Sequence, residues 1–126
     1  MKKLFIFLFI LLIISCSLES NKNKIGIVIH GGAGTILKEN MTPELENSYI
    51  IKLEEAVMAG YDILKNGGSS KDAVEQAIRV MEDSPLFNAG VGAVLTNDER
   101  VSLDASFMDG KNLNAGAIAG SSYIKN

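Results

Sequence analysis

The strongest constraint on this 126-residue chain is a change of hydrophobic period at Pro85. Upstream of it, apolar residues recur at the spacing of amphipathic helices. Downstream they alternate every second residue, as strands require. A proline bars helix continuation, so the two regimes meet at a fixed point in the chain.

Two helices are predicted before that point. In "MTPELENSYIIKLEEAVMAGYDILKNGG", Thr42 is placed to cap, and Pro43 suits the first helical position, where its missing N–H costs nothing. Ile50, Leu53, Val57, Tyr61 and Leu64 form one apolar stripe. Lys65 complements the C-terminal dipole, and Gly67-Gly68 offers a left-handed cap. In "SSKDAVEQAIRVMEDSP", Ser69 and Asp72 have capping-box spacing, although Asp is shorter than the usual Glu. Val74, Ala77, Ile78 and Met81 give the apolar face. The short Gly-Gly link makes the helices antiparallel neighbours, and Ala56, Ala59, Gly60, Ala73 and Ala77 let them pack closely.

Strands are predicted on either side of the helices. "KIGIVIHGGAG" alternates Ile25, Ile27 and Ile29 with Gly26 and Val28, the pattern of a strand buried on both faces that runs into a glycine turn. After Pro85, "GAVLT", a turn at "NDER" and "VSLDASFMD" read as a hairpin with Val101, Leu103, Ala105 and Phe107 on one face. "DGKN" is another turn, and "LNAGAIAG" a further strand of small residues. The order β-α-α-β-β-β indicates an α+β layered sandwich rather than a doubly wound sheet.

The front end is expected to be a leader. Lys2 and Lys3 precede an apolar run from Leu4 to Ile14, which at ~1.5 Å per residue spans about 16 Å, half a bilayer core. That is a signal-peptide core rather than a spanning helix. The single cysteine follows in "IISC", the pattern of a bacterial lipobox, so residues 1–16 are expected to end at a lipidated Cys16. Residues 17–24 read as a polar tether and residues 25–126 as the folded part. Ser17 behind the cysteine points to the outer membrane in a Gram-negative host. Removing Lys2 and Lys3 from 12 basic residues leaves 10 against 15 acidic, a net charge of −5. Such a balance, with no basic patch, excludes nucleic acid as a partner. One cysteine excludes a disulfide framework.

Chemistry is sparse in the residues themselves. The glycines after His30 do not complete a dinucleotide loop, because Leu37 stands where the third glycine would fall. His30, the only histidine, reads as a structural residue in a tight turn rather than a base, since no Ser or Cys partner is evident nearby. Asp104 and Asp109 could form a carboxylate pair, but Asp109-Gly110 is turn chemistry and Asp104 lies on the face opposite Val101 and Leu103. Thr35, Thr42 and Thr96 each have a turn, cap or strand-end role. No catalytic residue is assigned within the chain.

"IHGGAGT", "NAGVGAVLTNDERVSLDASFMDG" and "NAGAIAG" together, in order, resemble the N-terminal part of the isoaspartyl peptidase/L-asparaginase family, the plant-type asparaginases among the N-terminal-nucleophile hydrolases. The related glycosylasparaginases share segments like "LDA-MDG" but not "HGGAG" or "NAGVGAV", and form the alternative branch. A second alternative is a truncated, non-enzymatic lipoprotein module.

The resemblance implies a partial αββα sandwich, the N-terminal portion of a precursor that cuts itself at a threonine. The freed amine and hydroxyl then act as base and nucleophile on side-chain amides and β-aspartyl bonds. It places that threonine downstream of Asn126, so this stretch alone is expected to be inactive. The expected partners are the C-terminal half and a second cleaved αβ unit. The resemblance implies no required cofactor but a structural sodium ion, held by main-chain oxygens of Met81, Glu82, Ser84, Phe87, Ala89 and Val91, donors that suit a hard cation. Asn88 matches an asparagine that helps organise the centre, and Gly31 and Gly32 match a glycine loop beside the cleavage site.

Overall fold

A computed structural model describes residues 24–33 and 37–126. The leader run, Cys16 and most of the tether lie outside the described residues. Among the described residues, no helix is long and apolar enough to cross a membrane.

The order of elements is a short 3-10 turn at Lys38–Asn40, helix α1 (Pro43–Lys65), helix α2 (Ser70–Glu82), a 3-10 turn at Gly90–Gly92, and strands β1 (Leu103–Met108) and β2 (Ala115–Ser121). The described residues are thus α+β, with two α-helices and one two-stranded antiparallel sheet.

Both helices begin and end as their local chemistry dictates. The Thr42 hydroxyl accepts the Leu45 N–H at 3.2 Å, and Pro43 opens the first turn. At the far end the Gly67 N–H donates to Leu64 O at 3.0 Å and the Gly68 N–H to Ile63 O at 2.8 Å. Gly67 sits at φ +82°, so these two bonds form a Schellman cap that only glycine adopts cheaply. The Ser69 hydroxyl accepts the Asp72 N–H at 3.2 Å. The shorter Asp72 side chain does not complete the predicted box; its carboxylate accepts a hydrogen bond from the Ser69 hydroxyl at 2.7 Å instead.

The helix interface is narrower than the sequence pattern suggests. Its buried residues are Ala56 and Gly60 of α1 and Ala73 and Ala77 of α2. A Cβ on Gly60 would lie 2.7 Å from Ala73 O and 3.3 Å from Ala77 Cβ, so the backbones approach closely. That approach turns the larger residues outward, and Ile50, Val74 and Ile78 are exposed although they were expected on the inner stripes.

Two strand expectations fail. Residues 24–30 form no ladder, and Val28 is 94% exposed rather than buried between two faces. Ile27 instead reaches into the notch over Gly60. Nor does "GAVLT" pair with the strand after the "NDER" turn. The turn itself exists, with the Thr96 N–H donating to Arg100 O at 2.8 Å, but Gly90–Gly92 is wound into a 3-10 turn and residues 93–96 form no strand. The hairpin that forms is the next one along, with Ala105 opposite Ile118 and Met108 opposite Ala115. Its loop is closed by the Asp109 N–H donating to Asn114 O at 2.8 Å, with Leu113 at φ +61°.

Candidate functional site

A cavity of about 600 Å³ opens where three elements meet. His30 to Ala33 forms one wall, Tyr49 of α1 another, and the end of α2 with the loop through Ala89 the third. The sequence-predicted residues Gly31, Gly32, Met81, Glu82, Phe87, Asn88 and Ala89 all line it. Ser84 is buried at the side of this loop, 4% exposed, with its hydroxyl accepting the Leu86 N–H at 3.3 Å. Val91 is not among the lining residues; it is 59% exposed in the 3-10 turn.

An aromatic pair fixes the loop to α1. Phe87 is 5% exposed and meets Tyr49 edge to face, with ring centroids 5.8 Å apart and planes at 78°. The Tyr49 hydroxyl donates to Leu86 O at 2.7 Å. On the other side of Phe87, a Cβ on Gly31 would come 3.0 Å from Leu53 and 3.5 Å from the Phe87 ring. Glycine at this position therefore lets the first wall lie directly on the aromatic platform. Tyr49 was not singled out from the sequence. It lies on the same face as Leu53, Ala56 and Gly60, one position round from the predicted stripe, and the small residues were the available signal for that face.

The loop itself is held by its own backbone. The Ser84 N–H donates to Met81 O at 3.1 Å, the Ala89 N–H to Phe87 O at 2.8 Å and the Gly92 N–H to Ala89 O at 3.0 Å. Asn88 closes the far side, its Oδ1 accepting the Val94 N–H at 2.9 Å, which leaves its Nδ2 donors as the group it offers the cavity. Gly90 (φ +50°) and Gly92 are packed where any Cβ would strike carbonyl groups, those of Glu82 and of Phe87 and Pro85 respectively. The chain therefore doubles back over a cluster of main-chain oxygens.

That cluster bears on the expected sodium ligands. Each carbonyl oxygen carries two lone pairs, so the single bonds accepted by the Phe87 and Ala89 oxygens leave each one to spare. Among the described residues, no group of three or more His, Cys, Asp or Glu could hold a metal. Main-chain carbonyl oxygens are donors that suit a hard cation rather than a transition metal.

The other candidates have structural tasks. His30 Nδ1 accepts the Gly32 N–H at 3.1 Å, the tight-turn part predicted for it. Asp104 Oδ1 accepts the Gly120 N–H at 2.9 Å, holding a bulge in which Gly120 adopts φ +70°. Asp109 Oδ1 accepts the Lys111 N–H at 3.0 Å, and its other oxygen pairs with Lys71 at 3.0 Å. These bonds, that of the Lys111 N–H first, hold the Asp109 carboxyl below its ordinary value. The two aspartates thus do not act as a pair. Glu82 behaves in the opposite sense; partial burial first, then the neighbouring Asp83, pushes its carboxyl up, with Arg79 opposing.

A second, larger cleft of about 950 Å³ separates α2 from the hairpin, with Val74 and Ile78 facing Phe107 and Ile118 across it. Ion pairs bridge its ends. Lys71 meets Asp109 at one, and at the other Lys125 meets Asp83 at 2.7 Å, joined by Asn126 Nδ2 at 3.0 Å.

A family model described as asparaginase matches residues 23–126. A plant-type L-asparaginase of Pyrococcus abyssi is 52% identical over 102 residues, 81% of this chain and 32% of the relative. An isoaspartyl peptidase of Salmonella typhimurium is 50% identical over 103 residues, covering 82% and 33%. An isoaspartyl peptidase/L-asparaginase of Xenopus laevis is 46% identical over 100 residues, covering 79% and 31%. The chain thus spans about a third of the length of the curated relatives it matches. With the model covering most of its residues and about half of the aligned positions identical to these relatives, the chain belongs to the asparaginase family.

Proposed function

We propose that this chain is the N-terminal portion of a self-cleaving threonine hydrolase that acts on L-asparagine and β-aspartyl peptides. The observation that carries the reading is the convergence of Gly31, Gly32 and Asn88 on one cavity, in a chain about half identical to an isoaspartyl peptidase and a plant-type L-asparaginase. In this reading the cavity is the backing of an active centre. Gly31 and Gly32 supply a wall without side chains, Asn88 offers amide donors, and the loop from Met81 to Val91 stiffens the assembly. A sodium ion on main-chain oxygens of Met81, Glu82, Ser84, Phe87, Ala89 and Val91 would add to that stiffness. The nucleophile is a threonine in the remaining two-thirds of the protein, whose own freed amine serves as its base.

The helices and hairpin form one part of an αββα sandwich, completed by that remaining portion and paired as a dimer of cleaved αβ units. Residues 1–16 act as a lipoprotein leader, so the mature protein is exported and anchored through Cys16. Residues 1–126 alone do no hydrolysis.

The test compares this stretch alone with a polypeptide extended to the relatives' length. The extended form should split into two bands, release aspartate from a β-aspartyl dipeptide and ammonia from asparagine, and lose both activities when the scissile threonine is changed to alanine. Activity in residues 1–126 alone, or an extended protein that cleaves neither itself nor these substrates, would refute the proposal.

A further inference from the structure

We infer that His30 is a positioning residue that sets the glycine wall of the 600 Å³ cavity, and that it does so only while its ring is neutral. Its Nδ1 accepts the Gly32 N–H at 3.1 Å, and a ring nitrogen that accepts cannot carry a proton. The bonded tautomer therefore has its proton on Nε2. The bond spans the bend in which Gly32 takes φ +110°. The imidazole bonds the bend on one side, and on the other Gly31 lies where an added Cβ would meet Leu53 and Phe87. Protonation puts a second donor opposite the Gly32 N–H and removes this bond. The wall then loosens next to Asn88 without any change in the helices. Two further titratable groups share the cavity, Tyr49 from α1 and Glu82 from α2.

This inference rests on the loop geometry and not on the hydrolase reading, so its test needs no activity. In the unsubstituted protein, nitrogen NMR of the imidazole should report the Nε2–H tautomer whenever the ring is neutral. The Gly32 amide should exchange more slowly than in an unstructured chain. As the ring protonates, Gly32 should lose about fivefold of that protection, the equivalent of about 1 kcal/mol for one hydrogen bond, while α1 amides keep theirs. His30→Asn retains an acceptor that can bond the N–H two residues on. It should keep Gly32 protected and make the protection independent of pH in this range. His30→Phe should lose the protection at every pH. An Nδ1–H tautomer, or Gly32 protection that ignores ring protonation, would overturn the inference. Both are read on the unsubstituted protein even if a variant does not fold.

Discussion

Gly60→Ala separates a helix glycine tolerated for want of selection from one required by packing. On propensity alone, alanine in a helix interior should stabilise by about 1 kcal/mol. Against that, the new methyl would lie 2.7 Å from Ala73 O and 3.3 Å from Ala77 Cβ, besides meeting the end of Ile27. The Ile27 methyl can rotate away, but the carbonyl belongs to the α2 backbone and moves only with the helix. Overpacking of this kind typically costs about 1–3 kcal/mol, so the net expectation is a loss of about 1 kcal/mol. With a urea dependence of about 2 kcal/mol per molar, the unfolding midpoint should fall by roughly 0.5 M at unchanged slope. An equal or higher midpoint would show that the helices are not in the close contact described here.

Tyr49→Phe keeps the edge-to-face contact with Phe87 but strands the part-buried Leu86 carbonyl, and should cost about 1 kcal/mol in the same assay. Gly90→Ala combines a left-handed φ of +50° with a collision against the Glu82 backbone, and should lower stability by more than about 2 kcal/mol, or prevent accumulation of folded protein. Asp109 predicts a pH dependence. Because its carboxyl is held below the ordinary value in the folded chain, its contribution is present above the unfolded pKa and is lost as pH falls through the folded one. Acidification should therefore weaken the seating of the hairpin against α2, seen as loss of hydrogen-exchange protection in β1 and β2, and Asp109→Asn should flatten that response.

What could be read in advance follows the range of the interactions involved. Helix ends were legible because Thr42, Pro43, Gly67 and Ser69 act on backbone groups within a few residues. The same holds for the turn at Asp109. Burial was misread because large apolar residues draw attention, whereas the closest contact is made by Ala56, Gly60, Ala73 and Ala77. Alternation in residues 25–29 signals a strand-like pattern but not a partner, and the described residues supply none. "GAVLT" was taken for a strand because the apolar period shortens to two beyond Pro85. Instead Gly90 and Gly92 are required for the chain to pass over carbonyls contributed by residues several positions earlier. In the candidate site, Gly31, Gly32, Asn88 and the end of the Met81–Ala89 loop line one cavity, whereas Tyr49 depends on a bond across 37 positions that no local pattern encodes.

These contacts divide the molecule into two parts of unequal self-sufficiency. The cavity belongs to the first, since Ile27 rests over Gly60, Gly31 rests on Leu53 and Phe87, and Tyr49 ties the loop back to α1. Every wall is thus referred to one helix pair. The hairpin belongs to the second. A two-stranded sheet is marginal by itself, and this one leaves Phe107 and Ile118 exposed above a cleft whose flanking ion pairs are Lys71–Asp109 and Lys125–Asp83. Damage should therefore not spread evenly. Loosening Lys71–Asp109 frees the hairpin while the cavity keeps its shape, whereas a shift of α1 against α2 moves all three walls together. That asymmetry follows the range of the contacts: the wall depends on short, local and helical ones, whereas the sheet, among the described residues, has no third strand on either edge.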